Sequence, residues 1–462
     1  MEANFGSLVV MIISLVVLVL LIMKFKVHPV YALILVAIGS AIGFGIPIVS
    51  VAATADTPAV TGVVATVTGG FGSTIGSIGI VIILGCTIGV ILEETGGALV
   101  LANTILKIVG KSRSTLAMAI SGYIVSIPVF SDSAIVILSP VARSLSARSG
   151  VPLMAILGAL NAGIMSTHTM VPPTPGPLAA AGTLGADVGM VIFLGLFSAA
   201  AYTIAATLWC TSKWPLSHFP DVAKMDNVDA VLGDDLAIKS DKKMPGAFLT
   251  FACILFPVLL ICASSFANLW LPIGTVRTAL NFLGDPVIAL FIGVLLCLFL
   301  DPSRLSIKQV YDWFDKSVES SGFIILATGA AGAYGKVLQA SNVGTYLGNL
   351  IAATPLPAVF VPFLVALLLS VSNGSATVSL LTGSAIILPL LPSLGLHPAV
   401  ATLAIAAGSS FFYHANASHF WVVVRSNKIT EKQGYALVSV GTAIGSVAAF
   451  VVVFIMSMII HP

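Results

Sequence analysis

Apolar residues in this chain come in runs long enough to cross a lipid bilayer, separated by short polar turns. A membrane-crossing helix needs about 20 apolar residues, and such runs lie near 5–23, 29–50, 74–92, 115–130, 152–167 and 187–209. After the one long polar stretch, 211–246, they resume near 251–269, 284–300, 320–338, 356–371, 397–413 and 434–460. Two stretches rich in small polar residues, around 130–140 ("VFSDSAIVILSP") and 372–383 ("SVSNGSATVSLLTGS"), interrupt this rhythm and are too short for a further crossing. Irregular backbone at membrane depth survives only where protein or a wet cavity surrounds it. Both stretches therefore predict re-entrant hairpin tips.

The two sets of runs resemble each other at an offset of 246 residues, which pairs Glu93 with Gln339, Pro152 with Pro398 and His168 with His414. Basic residues favour the cytoplasmic side of a membrane. In the first half they gather at Lys24 and Lys26, at Lys107, Lys111 and Arg113, and at Arg143 and Arg148. The equivalent loops of the second half hold only Arg277, and its bases sit instead at Arg304, Lys308 and Lys316 and at Arg425, Lys428 and Lys432. The halves are thus predicted to be inverted, an arrangement typical of secondary transporters, whose substrate site lies where the repeats meet. The division expected is residues 1–210 as the first repeat, 211–246 as a cytoplasmic polar linker and 247–462 as the second repeat. Both termini then fall outside a bacterial inner membrane.

Composition narrows the function. Of 462 residues 58% are hydrophobic and 8% charged, against about 25% charged in a soluble domain. A net charge of +2 leaves no basic face for nucleic acid. The five cysteines lack the paired spacing of a disulfide framework or zinc site and read as packing residues. Residues 8–23 read as a retained helix rather than a signal peptide, because Glu2 precedes them and Lys24 and Lys26 follow. No nucleophile elbow, HExxH or P-loop is present, which excludes the common enzyme motifs and direct use of nucleotide. A channel would need rings of pore-lining charge, which the chain also lacks.

Candidate chemistry lies in the interruptions. Asp132 is the one acid between residues 115 and 185, flanked by Ser131 and Ser133. An intramembrane carboxylate is a functional candidate by default, and a second, compatible role is that of a helix N-cap. Pro172, Pro173 and Pro175 break the span that carries Thr167, His168 and Thr169. Such a break frees backbone groups and creates a helix N-terminus suited to an anion. The matching break "FFYHANASHF" carries His414, Asn416, Ser418 and His419, and the second hairpin carries Asn373, Ser375 and Thr377 but no acid. Glu93 and Glu94 end an apolar run and serve either as a cytoplasmic helix end or as a proton relay.

With "FKVHP" at 25–29, "LEETGGA" at 92–98, "IPVFSDSAIVILSP" at 127–140 and "HTMVPPTPGP" at 168–177, the chain resembles the gluconate permease family of the wider ion transporter superfamily over nearly its full length. The resemblance implies a proton symporter for gluconate or related acids, some members carrying D-serine, 3-hydroxybutyrate or glycerate. Gluconate carriers have an "FFDVGFVLL" type of hairpin, where this chain has Phe130, Ser131, Asp132, Ser133 and Ala134. The acid is kept while bulk is exchanged for hydroxyls, which favours a smaller hydroxy acid.

The sequence thus predicts an all-α polytopic membrane protein of two inverted repeats with re-entrant hairpins and broken helices. It would import gluconate or a small hydroxy monocarboxylate with a proton, the rival being a sodium-coupled carrier of D-serine or another organic anion. Ser131, Asp132, Ser133, Thr167, His168, Thr169, Asn373, Ser375, Thr377, His414, Asn416 and Ser418 are the expected substrate site, and Asp132, Glu93, Glu94, His168 and His419 the proton path. Expected partners are a small organic anion, a proton and the bilayer, with homodimerisation left open and no cofactor, metal or nucleic acid.

Overall fold

The computed structural model describes residues 5–51, 60–110, 113–218, 244–300, 306–341, 343, 356–414 and 417–461. Among these the backbone is helical apart from turns and one isolated bridge between Val51 and Val60. The first half comprises α1 (Phe5–Met23), α2 (Pro29–Gly43), α3 (Val63–Glu94), α4 (Gly97–Val109), α5 (Ser114–Val125), α6 (Ser131–Ser149), α7 (Leu153–Met170), α8 (Pro175–Leu184), α9 (Val188–Cys210) and the short α10 (Lys213–His218). The second comprises α11 (Ala247–Trp270), α12 (Thr275–Leu283), α13 (Pro286–Leu298), α14 (Ile307–Ala340), α15 (Phe360–Asn373), α16 (Ala376–Ile387), α17 (Leu391–Leu394), α18 (Pro398–Ser409), α19 (Ser418–Ser426) and α20 (Glu431–Ile459). Helix α20 holds a π-helical stretch at Tyr435–Val440.

Among the described residues six helical segments are long and apolar enough to span a membrane, or seven if the bent pair α12 and α13 is one span. The protein is therefore a multi-pass membrane protein. The apolar runs at 115–130 and 356–371 appear as the first legs of two hairpins, α5 with α6 and α15 with α16. Leg α5 has 12 residues, too few to cross a bilayer that needs about 20. Helices α3 and α14 are longer than their apolar runs. The glycines of α3 at 69, 70, 72 and 76 and the charges of α14 from Lys308 to Glu319 dilute their first turns, yet the helices begin at Val63 and Ile307.

Helix boundaries repeat at the offset of 246 along the chain. Shifting α3 by that amount gives 309–340, against 307–340 observed for α14, and shifting α9 gives 434–456, within the observed 431–459. Equivalent helices pack on each other antiparallel. In the first such pair, Gly70 of α3 meets Ala333 of α14, while Ile75, further along α3, meets Gly329. In the second, Cys210 of α9 lies beside Leu437 of α20, Tyr202 beside Gly445, and Ser198 beside Met456. Without a hydrophobic drive between helices in lipid, such crossings depend on small residues that let backbones approach. A Cβ at Gly332 would stand 2.0 Å from the Thr74 hydroxyl.

The hairpin of each half meets the broken helix of the other. Helix α6 packs along α19, and α16 packs along α8, where Gly176 faces Thr377 and Leu380. Two glycines one turn apart on α3 accommodate the interruptions: Gly89 faces the Pro128 carbonyl of the first hairpin tip, and Gly85 the Pro173 carbonyl of the first break. A Cβ at Gly89 would lie 2.4 Å from the Pro128 oxygen, so Gly89→Ala is expected to displace the tip and cost about 1–3 kcal/mol. Thermal unfolding of the detergent-solubilised protein checks this. Gly76→Ala on the same helix, where a Cβ meets nothing within 4 Å, is expected to leave unfolding unchanged.

Candidate functional site

Each interruption leaves backbone donors and acceptors that the membrane cannot satisfy. In the first, Val171–Thr174, Val171 N–H bonds the Thr167 carbonyl and the Thr174 hydroxyl the Val171 carbonyl. The Pro172–Pro173 bond is cis. In the second, the Ser370 hydroxyl donates to the carbonyls of Ser409 (2.7 Å) and Phe411 (3.3 Å). Helix α20 holds the centre of that break from both sides. Tyr413 N–H donates to Thr442 Oγ1 at 3.1 Å, and the Ser439 hydroxyl donates to the Tyr413 carbonyl. His414 bonds the Val371 carbonyl through Nε2 at 3.0 Å, tying the break to α15.

Hairpin tips and breaks enclose a cavity of about 380 Å³ lined by Ser131, Asp132 and Ser133, by Ser375 and Thr377, by Met165 and His168, and by Tyr413, Ser418 and His419. Phe130, Ser320, Gly374 and Ala376 complete the wall. Gly374 turns the second tip with φ of +68°, a left-handed conformation that glycine adopts without a Cβ penalty. Helices α6, α16 and α19 all begin at this cavity, so three positive dipole ends converge on it. Among its described lining residues Asp132 is the one carboxylate, and there is no lysine or arginine.

Asp132 is held across the repeat boundary. Its Oδ1 faces His419 Nδ1 at 2.9 Å, and its Oδ2 accepts from the Ser418 hydroxyl at 3.2 Å. The carboxylate side chain is 44% exposed whereas the His419 side chain beneath it is 4% exposed. His419 Nε2 meets Asn161 Oδ1 at 2.8 Å, and Asn161 is itself buried on α7. The far end of α19 is also joined to the middle of α6, by Asn427 Nδ2 donating to Ser139 Oγ at 2.9 Å and by Arg143 on the Ser426 carbonyl. Helices α6 and α19 thus run parallel as one unit with both N-termini at the cavity.

The other candidates divide by position. Asp132 sits in the first turn of α6, whose N-cap is Phe130, and its oxygens go to α19 instead of capping. Thr167 and Thr169 lie on the last turn of α7, ahead of the break, and return their hydroxyls to the carbonyls of Gly163 and Met165. His168 on that turn is buried against the cavity, with Nδ1 unpartnered among the described residues. Ser375 caps α16. His414 is spent on α15 and does not line the cavity. Asn373 ends α15, its side chain outside the described residues, as is Asn416.

Ser133 turns toward the Glu93 carboxylate, while Glu94 pairs with Lys316 at the surface. Asn161 escaped sequence reading although a signal existed. Asn161, Met165 and His168 stand at i, i+4 and i+7, one face of a helix. Ser320 was hidden in an apolar run, one turn beyond Lys316.

A profile of the GntP family permeases matches residues 6–459. The chain is 33% identical over 450 residues to an uncharacterized permease of Haemophilus influenzae, covering 94% of this chain and 88% of that one. It is 32% identical to a gluconate permease of Zymomonas mobilis, covering 96% and 95%. The solved structure of Neisseria gonorrhoeae MtrF, described as illuminating a class of antimetabolite efflux pumps, matches with a TM-score of 0.63 over 96% of this chain and 97% of that one. At 15% identity that likeness shows a shared fold.

Removing Ser439 and Thr442 together, as Ser439→Ala with Thr442→Val, strands both polar groups of the Tyr413 peptide. The loss expected is about 1–3 kcal/mol for each buried group left unpaired, read as a lowered unfolding temperature. Ser457→Ala, near the end of α20 and bonded only to its own helix, is the control and should leave it in place.

Proposed function

The chain belongs to the GntP permease family, and we propose that within it this protein imports a hydroxylated monocarboxylate, gluconate or a smaller hydroxy acid, together with a proton. The observation that carries this reading is a carboxylate hydrogen-bonded to an imidazole in a cavity whose described lining holds no lysine or arginine. With the pair deprotonated the site already bears one negative charge, and a substrate anion would add a second in a medium that penalises even one by several kcal/mol. A proton on the pair removes that penalty. Proton and anion entering together leave the site at its original charge, so each favours the other.

Hydroxyl groups suit the rest of the ligand. Ser131, Ser133, Ser375 and Thr377 face the cavity from the two hairpins, and each hydroxyl both donates and accepts. The substrate carboxylate is assigned to the convergent helix N-termini and to His168, whose Nδ1 lacks a partner among the described residues. His414 supports the second hairpin instead of binding substrate.

In this reading residues 1–210 and 247–462 are the inverted repeats, 211–246 is the cytoplasmic linker, and both termini lie outside. Lys107, Arg113, Arg143, Lys316, Arg425 and Lys428 mark the cytoplasmic side. The first hairpin enters from that side, and Ser320, which lines the cavity, stands one turn above Lys316. Those positions support a cavity open to the cytoplasm, with Glu93 beside Ser133 on the proton's way out.

Uptake of labelled gluconate into proteoliposomes tests the reading, under an inward proton gradient without sodium and with 3-hydroxybutyrate, glycerate, lactate and D-serine as competitors. Accumulation that collapses with the gradient is expected, and the strongest competitor names the substrate. Asp132→Asn should lose accumulation while retaining substrate exchange. Uptake that waits for sodium, or full accumulation by the Asp132→Asn variant, would refute proton coupling through this pair.

A further inference from the structure

A buried histidine that gains and loses a proton needs partners for both of its forms. The neutral imidazole donates at one nitrogen and accepts at the other, whereas the cation donates at both. Asp132, facing Nδ1 of His419 at 2.9 Å, accepts when ionised, so Nδ1 donates in either form. The two forms differ at Nε2, which faces Asn161 at 2.8 Å. Asparagine carries an acceptor and a donor on one planar group, exchanged by half a turn of the amide. Its Oδ1 suits the protonated ring and its Nδ2 the neutral one.

We propose that Asn161 is the positioning residue of proton coupling: by reversing its amide it offers His419 Nε2 a hydrogen-bond partner in both the protonated and the neutral form of the ring. A hydronium of the cavity that His419 lines gives its proton to the Nε2 lone pair as Oδ1 turns to accept from the new N–H, and the proton returns to cavity water as Nδ2 turns back to donate. His168 has no such arrangement, since its Nδ1 lacks any partner among the described residues.

The groups that face His419 are few. Asp132 comes from α6, His168 stands near it from α7, and the Tyr413 ring lies 6.5 Å away from the break. Arg143, in the middle of α6, is on the Ser426 carbonyl at the end of α19, and Arg425 of α19 stacks over Trp421. From α20, Tyr435 packs on Phe420, while Glu431 and Lys432 occupy its first turn. None of these is bonded to Nε2, where among the described residues Asn161 is the hydrogen-bond partner.

The inference rests on the proton-symport reading, and its test separates the two. Nitrogen-15 NMR of histidine-labelled protein in detergent, with the His419 signal assigned by its loss in His419→Asn, follows ring protonation without any substrate. Asn161→Asp, nearly isosteric, places a permanent acceptor at Nε2, holds the proton more tightly and is expected to move the protonation midpoint up by about one pH unit. Asn161→Leu offers neither donor nor acceptor, disfavours the cation most, and is expected to move it down by a similar amount. In proteoliposomes the alkaline limit of gluconate counterflow should move in the same directions. Midpoints equal to the parent's in both variants, or a downward shift in Asn161→Asp, would overturn the role of Asn161. Parent protein whose gluconate uptake ignores the proton gradient would overturn proton symport instead, whatever the NMR midpoints show. Gel filtration and unfolding temperature establish that each variant is folded, and Asn161→Asp carries the test if Asn161→Leu is not.

Discussion

Every backbone amide and carbonyl inside a membrane must find a protein partner, and among the described residues four interruptions of the helices gather around one cavity. Two hairpin tips and two breaks expose polar groups that lipid cannot solvate. Much of the architecture answers that demand. Ser370, Ser439 and Thr442 serve the second break, and Gly85 and Gly89 let the carbonyls of Pro173 and Pro128 lie flat against α3. The cavity exists because the interruptions must cluster. Grouped together they satisfy one another, and the space left between them is polar by construction.

The two halves share a backbone plan without sharing chemistry. Their helices match at one offset and their equivalent pairs run antiparallel, yet Asp132 has Val378 as its counterpart and Asn161 has Ala407. The first hairpin brings charge, the second hydroxyls. His419 joins the two by reaching from the second half to the acid of the first. An inverted repeat thus supplies a near-symmetric cradle, and a few substitutions decide what the cradle holds.

Hydrophobic runs, basic loops and the offset of 246 made the fold class legible from sequence, because lipid imposes length and composition directly. The site was legible only in part. Small polar residues in apolar surroundings marked Asp132 and its serines, the two hairpins and both breaks. What sequence could not settle was direction: Thr167 and Thr169 sit beside His168 in the chain, but their hydroxyls fold back onto their own helix. His414 repeats His168 in position and not in environment, since Val371 takes its ring. Asn161 lay on the face of α7 that carries His168, and pairing it with His419 required a contact 258 residues apart.

Helices α6 and α19 are fastened at two levels, and the partners at the cavity end stand 286 residues apart at Ser418 and Asp132. At synthesis rates of about 5–20 residues per second, the first hairpin emerges roughly 15–60 s before the residues that will neutralise its acid. During that interval Asp132 lacks the hydrogen bonds of His419 and Ser418. The newborn half must keep its carboxylate in the aqueous margin, in the insertion machinery, or protonated. Maturation of the site is therefore a late event in biogenesis, and a chain truncated before residue 418 would leave Asp132 without the two hydrogen bonds that hold its carboxylate.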